Sequence, residues 1–130
     1  HSRKKILGDM ILLNEKQEAF FKALKQIKDV NVEISSGYLH PKSKFESTIH
    51  KKEYQDLQRK LTTNEDVDSF KKIQNEIIEN VLYQVMELVD GYVNLGFKID
   101  LIDRQSGESL RKNIELHDKV IEFFNLDTKK

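Results

Sequence analysis

"TTNEDVDSFKKIQNEIIENVLYQVMELVDG", residues 62–91, is the stretch on which the fold turns. Val67, Phe70, Ile73, Ile77, Val81, Val85 and Leu88 recur at steps of three and four, the spacing of one face of an α-helix. Ile78, Leu82, Met86 and Val89 add a second apolar stripe beside it. A helix apolar over so much of its circumference belongs in the middle of a core. Val81, Leu82 and Val85 are therefore expected to be core residues. Thr62-x-x-Glu65 has the form of a capping box, and Glu65, Asp66 and Asp68 place negative charge where the helix dipole favours it. Gly91, directly after Asp90, is a natural stop.

Upstream, Ile6, Met10, Leu13, Phe20, Leu24 and Ile27 alternate steps of four and three, with Gln17 in the one gap. That pattern predicts a first helix from about Arg3 to Ile27, packed in coiled-coil fashion against another helix. "DVNVEISSGYLHPK" then reads as a break. Val30, Val32 and Ile34 alternate as in a short strand. Ser35, Ser36 and Gly37 are turn residues, and Pro41 keeps His40 out of helical angles. A second helix is expected from Lys51 to Leu61, with Tyr54, Leu57 and Leu61 on its apolar side.

Downstream, Phe97, Ile99 and Leu101 alternate with Lys98, Asp100 and Ile102, which predicts a strand of about six residues. "DRQSGE" is a turn signal, and a return strand near Glu108 to Arg111 would complete a hairpin. Such a hairpin is barely stable alone, so it must lie on helices or pair with residues 30–34. The last helix is expected to start at Ser109 or Asn113 and to bury Ile114, His117, Ile121 and Phe124. The fold class that results is mainly α: about four helices in a bundle-like core with a small β-hairpin or a two-to-three-stranded element. At 130 residues the chain has the length of one domain, 1–130.

Composition narrows the function. Lys plus Arg and Asp plus Glu number 22 each, so there is no basic excess of the kind nucleic-acid binding requires. The chain has no cysteine, which removes disulfides, thiolate metal sites and cysteine nucleophiles. No apolar run approaches the length of a membrane span, and no signal-peptide pattern shows at the start. These features point to a cytoplasmic protein without membrane attachment. The five glycines are scattered, so no phosphate loop exists, and neither a GxSxG elbow nor an HExxH metal motif is present. No cofactor is implied.

Two sets of residues could carry function. Residues 37–54, "GYLHPKSKFESTIHKKEY", hold His40, His50 and Lys42, Lys44, Lys51 and Lys52 against Glu46 and Glu53. A polar stretch this long is uncommon as a plain connection, and its basic cluster would steer an acidic partner. Tyr38, Leu39, Phe45, Ile49 and Tyr54 are expected to pin it to the core. The second set is His117-Asp118 with His40 or His50, since imidazoles and carboxylates together hold divalent metals.

The first set carries the preferred reading. It is a non-catalytic protein acting through protein–protein interaction, with Lys42, Lys44, Lys51 and Lys52 as partner-binding residues. No catalytic residue is assigned. Richness in Lys, Ile, Asn and Glu fits a bacterial source and a small regulatory or immunity-type role. A homodimer through the first helix is a further expectation. The alternative is a metal-dependent phosphohydrolase with His40, His50, His117 and Asp118 as its ligand set.

Overall fold

The structure is a computed structural model and describes residues 12–126. Among the described residues there are four helices: α1 (Glu15–Gly37), α2 (Lys51–Lys60), α3 (Asn64–Val89) and α4 (Leu116–Phe124). The described residues divide into two compact units, one of residues 12–25 with 79–126 and one of Gln26–Ile78. Both long helices contribute to both units.

α1 starts later and ends later than its apolar spacing suggests. Its start is a reciprocal cap. The Asn14 side-chain oxygen accepts from the Gln17 amide (2.9 Å), and Gln17 Oε1 accepts from the Asn14 amide (3.0 Å). Ile6 and Met10, two of the six expected seam residues, lie outside the described residues. At the other end the expected strand at 30–34 is a correction: those residues continue the helix to Gly37. Lys28, Val32 and Ser36 are buried at steps of four, which is helical period. The Ser36 hydroxyl donates back to the Val32 carbonyl (2.7 Å), so this turn-forming residue is satisfied inside the helix. Pairing of a β element with residues 30–34 is thereby ruled out.

α3 runs where residues 62–91 place it. Its cap is shifted by one residue, with Thr63 Oγ1 accepting from the Asp66 amide (3.0 Å) and the Asp66 carboxylate from the Thr63 amide (3.2 Å). Gly91 stops it as expected. The Tyr92 amide reaches the Glu87 carbonyl (2.9 Å) and the Gly91 amide the Leu88 carbonyl (3.2 Å), with Gly91 at φ 91°. The depth of α3 needs correction. Ile73, Ile77, Val81 and Val85, spaced by four, are 56, 50, 53 and 42% exposed, so one of its two apolar stripes faces outward.

The core of the first unit joins Phe21 of α1, Met86 and Val89 of α3, and Leu116, Val120, Phe123 and Phe124 of α4. Phe21 and Phe123 meet as tilted rings 5.8 Å apart. Each of these apolar side chains contributes about 1.5–3 kcal/mol by leaving water. α4 starts at Leu116 and buries Leu116, Val120, Phe123 and Phe124, a stripe rotated from the expected Ile114, His117, Ile121 and Phe124. Asn113 sits at φ 63°, which no helix accommodates, so the earlier starts fail. The expected hairpin is reduced to one antiparallel bridge, Ile102 with Ser109, and no strand forms among the described residues.

In the second unit α1 and α3 run antiparallel. The Lys28 ammonium donates to Asn75 Oδ1 (2.8 Å), and Lys71 lies 3.6 Å from the Glu33 carboxylate. Val32, Tyr38 and Leu39 are its buried apolar residues. Among the described residues no helix is long and apolar enough to cross a membrane.

Candidate functional site

The crossover from Gly37 to α2 is folded by short-range bonds. The amides of Leu39, His40 and Ser43 donate to the carbonyls of Ser36, Gly37 and His40 at 3.0–3.1 Å. Gln58 of α2 donates to the His40 carbonyl (2.6 Å) and the Tyr38 carbonyl (3.4 Å), tying α2 to the end of α1. Buried Tyr38 holds the segment from beneath, with Tyr54 at 4.5 Å and Phe45 stacked at 6.1 Å. Burial, and then the neighbouring Tyr38, push the Tyr54 hydroxyl above its ordinary range.

Phe45 is one of the expected pins and acts as one. It does so at φ 53°, a conformation that costs a bulky side chain about 1–2 kcal/mol. Ile49 is no pin: it is 92% exposed. Its neighbours explain this, because the Thr48 hydroxyl accepts from the His50 amide and closes a tight local turn that turns Ile49 outward.

Lys42, Lys44, Lys51 and Lys52 are all exposed. Among the described residues none of the four ammoniums pairs with a carboxylate. Lys51 and Lys52 open α2, where the positive end of the helix dipole disfavours cations. Glu53 is the one acidic residue of that turn, and it lies 3.6 Å from His50 Nδ1. The stretch therefore presents unpaired positive charge and an exposed isoleucine on a backbone held from below.

The second set of residues is divided between the two units. His40 and His50 belong to the second unit, His117 and Asp118 to the first. His40 Nδ1 accepts from the Lys42 amide (3.1 Å). Asp118 is exposed. No group of three or more His, Asp or Glu side chains suited to a metal ion occurs among the described residues.

His117 belongs to a cluster that sequence spacing missed. Asp90 has a fully buried carboxylate. It accepts from the His117 amide (2.8 Å) and from Arg111 Nε (3.2 Å), and it lies 2.6 Å from His117 Nδ1. Tyr83 and Tyr92 each meet the imidazole edge to face, and the Tyr92 hydroxyl donates to Glu115 (2.7 Å). That bond to Glu115, with burial second, raises the Tyr92 hydroxyl's pKa. Asp90 thus caps α4 from the end of α3 and neutralises Arg111. The only signal in the sequence is an acid at a helix end, which most acids there do not repeat. An open cleft of about 750 Å³ runs beside the cluster, with Asp90, Arg111 and residues 91–99 on its wall.

No protein-family model matches the chain, and comparison with curated proteins and with solved structures gives no match either.

Proposed function

We propose that the chain is a non-catalytic binding protein that docks an acidic protein partner on the crossover between α1 and α2. The observation that carries this reading is the pair Lys51 and Lys52 at the N-terminus of α2. Two cations there oppose the helix dipole, and among the described residues neither ammonium pairs with a carboxylate. A local rule broken by two cations against the single acid Glu53 is the kind of departure that functional sites carry. Lys42 and Lys44 add positive charge in the same crossover, and exposed Ile49 adds apolar surface to it. The absence of cysteine and the Lys, Ile, Asn and Glu bias fit a small bacterial cytoplasmic protein of regulatory or immunity type.

Affinity capture tests it. The chain is used as bait beside a variant carrying Lys42→Glu, Lys44→Glu, Lys51→Glu and Lys52→Glu. The expected result is a partner held by the first bait and lost by the second, with both baits melting alike. Equal capture by both baits sinks the reading.

A further inference from the structure

The single bridge of the first unit leaves an open edge. Ile102 and Ser109 form the narrow kind of antiparallel pair, because the bonds on either side of it run from the Leu110 amide to the Leu101 carbonyl and from the Asp103 amide to the Glu108 carbonyl, both at 2.8 Å. In such a pair the N–H and C=O of the two residues point away from each other. On one side the Ser109 carbonyl is closed off by the Lys112 amide (3.3 Å). On the other side nothing closes the edge. Residues 98–103 are extended, since Ile99, Leu101 and Asp103 are half-buried while Lys98, Asp100 and Ile102 are exposed. The amides and carbonyls of Lys98, Asp100 and Ile102 therefore point outward in one row. None of them has a hydrogen-bond partner among the described residues. Buried backbone groups are almost always paired, so this row faces water.

The edge is fixed before anything binds to it. Ile99 and Leu101 pack on the core. The Lys16 ammonium holds the turn through Asp103 and the Ser106 hydroxyl (3.1 Å), and Gln17 takes the Leu110 and Lys112 carbonyls. Natural sheet edges are closed by proline, by inward charge or by a covering element. This one presents Ile102, 53% exposed. Its one acid, Asp100, is drawn back by the Ser109 hydroxyl (2.9 Å) and the Leu101 amide (2.8 Å), with Arg111 at 3.8 Å. Arg104, two residues beyond Ile102, is exposed and pairs with no carboxylate among the described residues.

We infer that the edge at residues 98–102 accepts an extended segment of another protein as an added strand, with a β-branched side chain beside Ile102 and an acid facing Arg104. The backbone row demands an extended chain, the isoleucine an apolar neighbour, and the arginine the acid. This ligand is a strand, distinct from the partner docked at the crossover and bound on the other unit, so the two readings stand or fall independently.

The probe is a library of short random peptides displayed on phage and selected on the full chain. Selected peptides are expected to combine β-branched residues with an acid towards one end. Ile102→Pro removes an N–H that bonds nothing inside the chain, so helical circular dichroism should be unchanged while peptide binding falls about tenfold. Arg104→Glu leaves the backbone intact and should also weaken binding about tenfold, which decides the matter if the proline variant does not fold. Methylating alternate amide nitrogens of a selected peptide should abolish binding in one register and spare it in the other, because an added strand bonds through every second residue. Hydrogen exchange reads the chain itself: the Lys98, Asp100 and Ile102 amides should exchange fast in the free chain and slowly with peptide bound. Slow exchange in the free chain overturns the inference, because another segment or a second copy then covers the edge. So does a selection that yields no peptide, a peptide that binds Arg104→Glu as tightly as the unaltered chain, or methylation that costs the same in both registers.

Discussion

Three side chains show how much of this fold hangs on single polar groups. Gln17 is fully buried although hydropathy marks it as a gap. Besides its reciprocal bonds to Asn14, its Nε2 donates to the Leu110 and Lys112 carbonyls, both at 2.9 Å. Gln17→Leu keeps the volume but leaves two carbonyls and one amide without partners. We expect a loss of about 2–4 kcal/mol in denaturant unfolding. Asp90 is a second case. Asp90→Ala takes the nearer of two carboxylates from Arg111 and uncaps α4 together, and should cost about 3–5 kcal/mol. Asp90→Asn keeps the acceptor for the His117 amide and should cost less. Asp103 is different, because it lies at the surface. The Lys16 ammonium, then the Gln105 amide and the Ser106 hydroxyl, hold its carboxyl down to about 2. A carboxyl depressed in the folded state stabilises that state above the unfolded pKa, about 3.9, and stops doing so as pH falls through about 2. Acid titrations of stability should therefore steepen between about pH 4 and pH 2. In Lys16→Met that steepening should shrink, and added salt should shrink it too.

The helices differ in how legible they are, and the difference is physical. α3 and α2 follow from apolar spacing alone, and Gly91 ends α3 where a left-handed residue was expected. Periodicity says that a helix has two apolar stripes. It does not say which of them finds a partner, so Val81 and Val85 read as core and lie outside it. Substitution separates the two stripes. Met86→Ala and Val89→Ala should each cost about 2–4 kcal/mol, while Val81→Ala and Val85→Ala should cost no more than about 0.5 kcal/mol. Equal costs on both stripes would show that the outward stripe is covered. The end of α1 was hidden for another reason. Val30, Val32 and Ile34 alternate like a strand, but the helix buries Lys28, Val32 and Ser36, and a buried lysine and serine are invisible to a hydropathy pattern. α4 was misplaced because its cap is not local: Asp90 serves it across 27 residues of sequence. Of the crossover, the exposure of its lysines was legible from charge, whereas Ile49 was misread because a lone apolar residue carries no period at all.

Charge at the scale of the whole molecule decides how the crossover can be tested fairly. The chain carries 22 positive and 22 negative side chains, so its net charge is zero at neutral pH. It has no overall field, and steering of a partner must come from local clusters. Each Lys→Glu change removes one positive and adds one negative charge, so the four changes at Lys42, Lys44, Lys51 and Lys52 take the net charge from zero to 4 × (−2) = −8. A molecule at that charge would repel an acidic partner wherever the lysines lay. The control is a second variant with the same net charge and the crossover intact, made by Lys22→Glu, Lys60→Glu, Lys72→Glu and Lys98→Glu, all exposed positions. Exposed charges are screened beyond about 8–10 Å at ordinary ionic strength, so charge that does not face the partner should be felt weakly. The crossover variant should lose most of its association rate with the captured partner. The control should lose little, and raising the salt should narrow the gap between them. Stability should shift by no more than about 0.5 kcal/mol per substitution in either variant. Equal losses in the two variants would mean that the partner reads net charge and not this surface, and the docking role of Lys51 and Lys52 would fall with it.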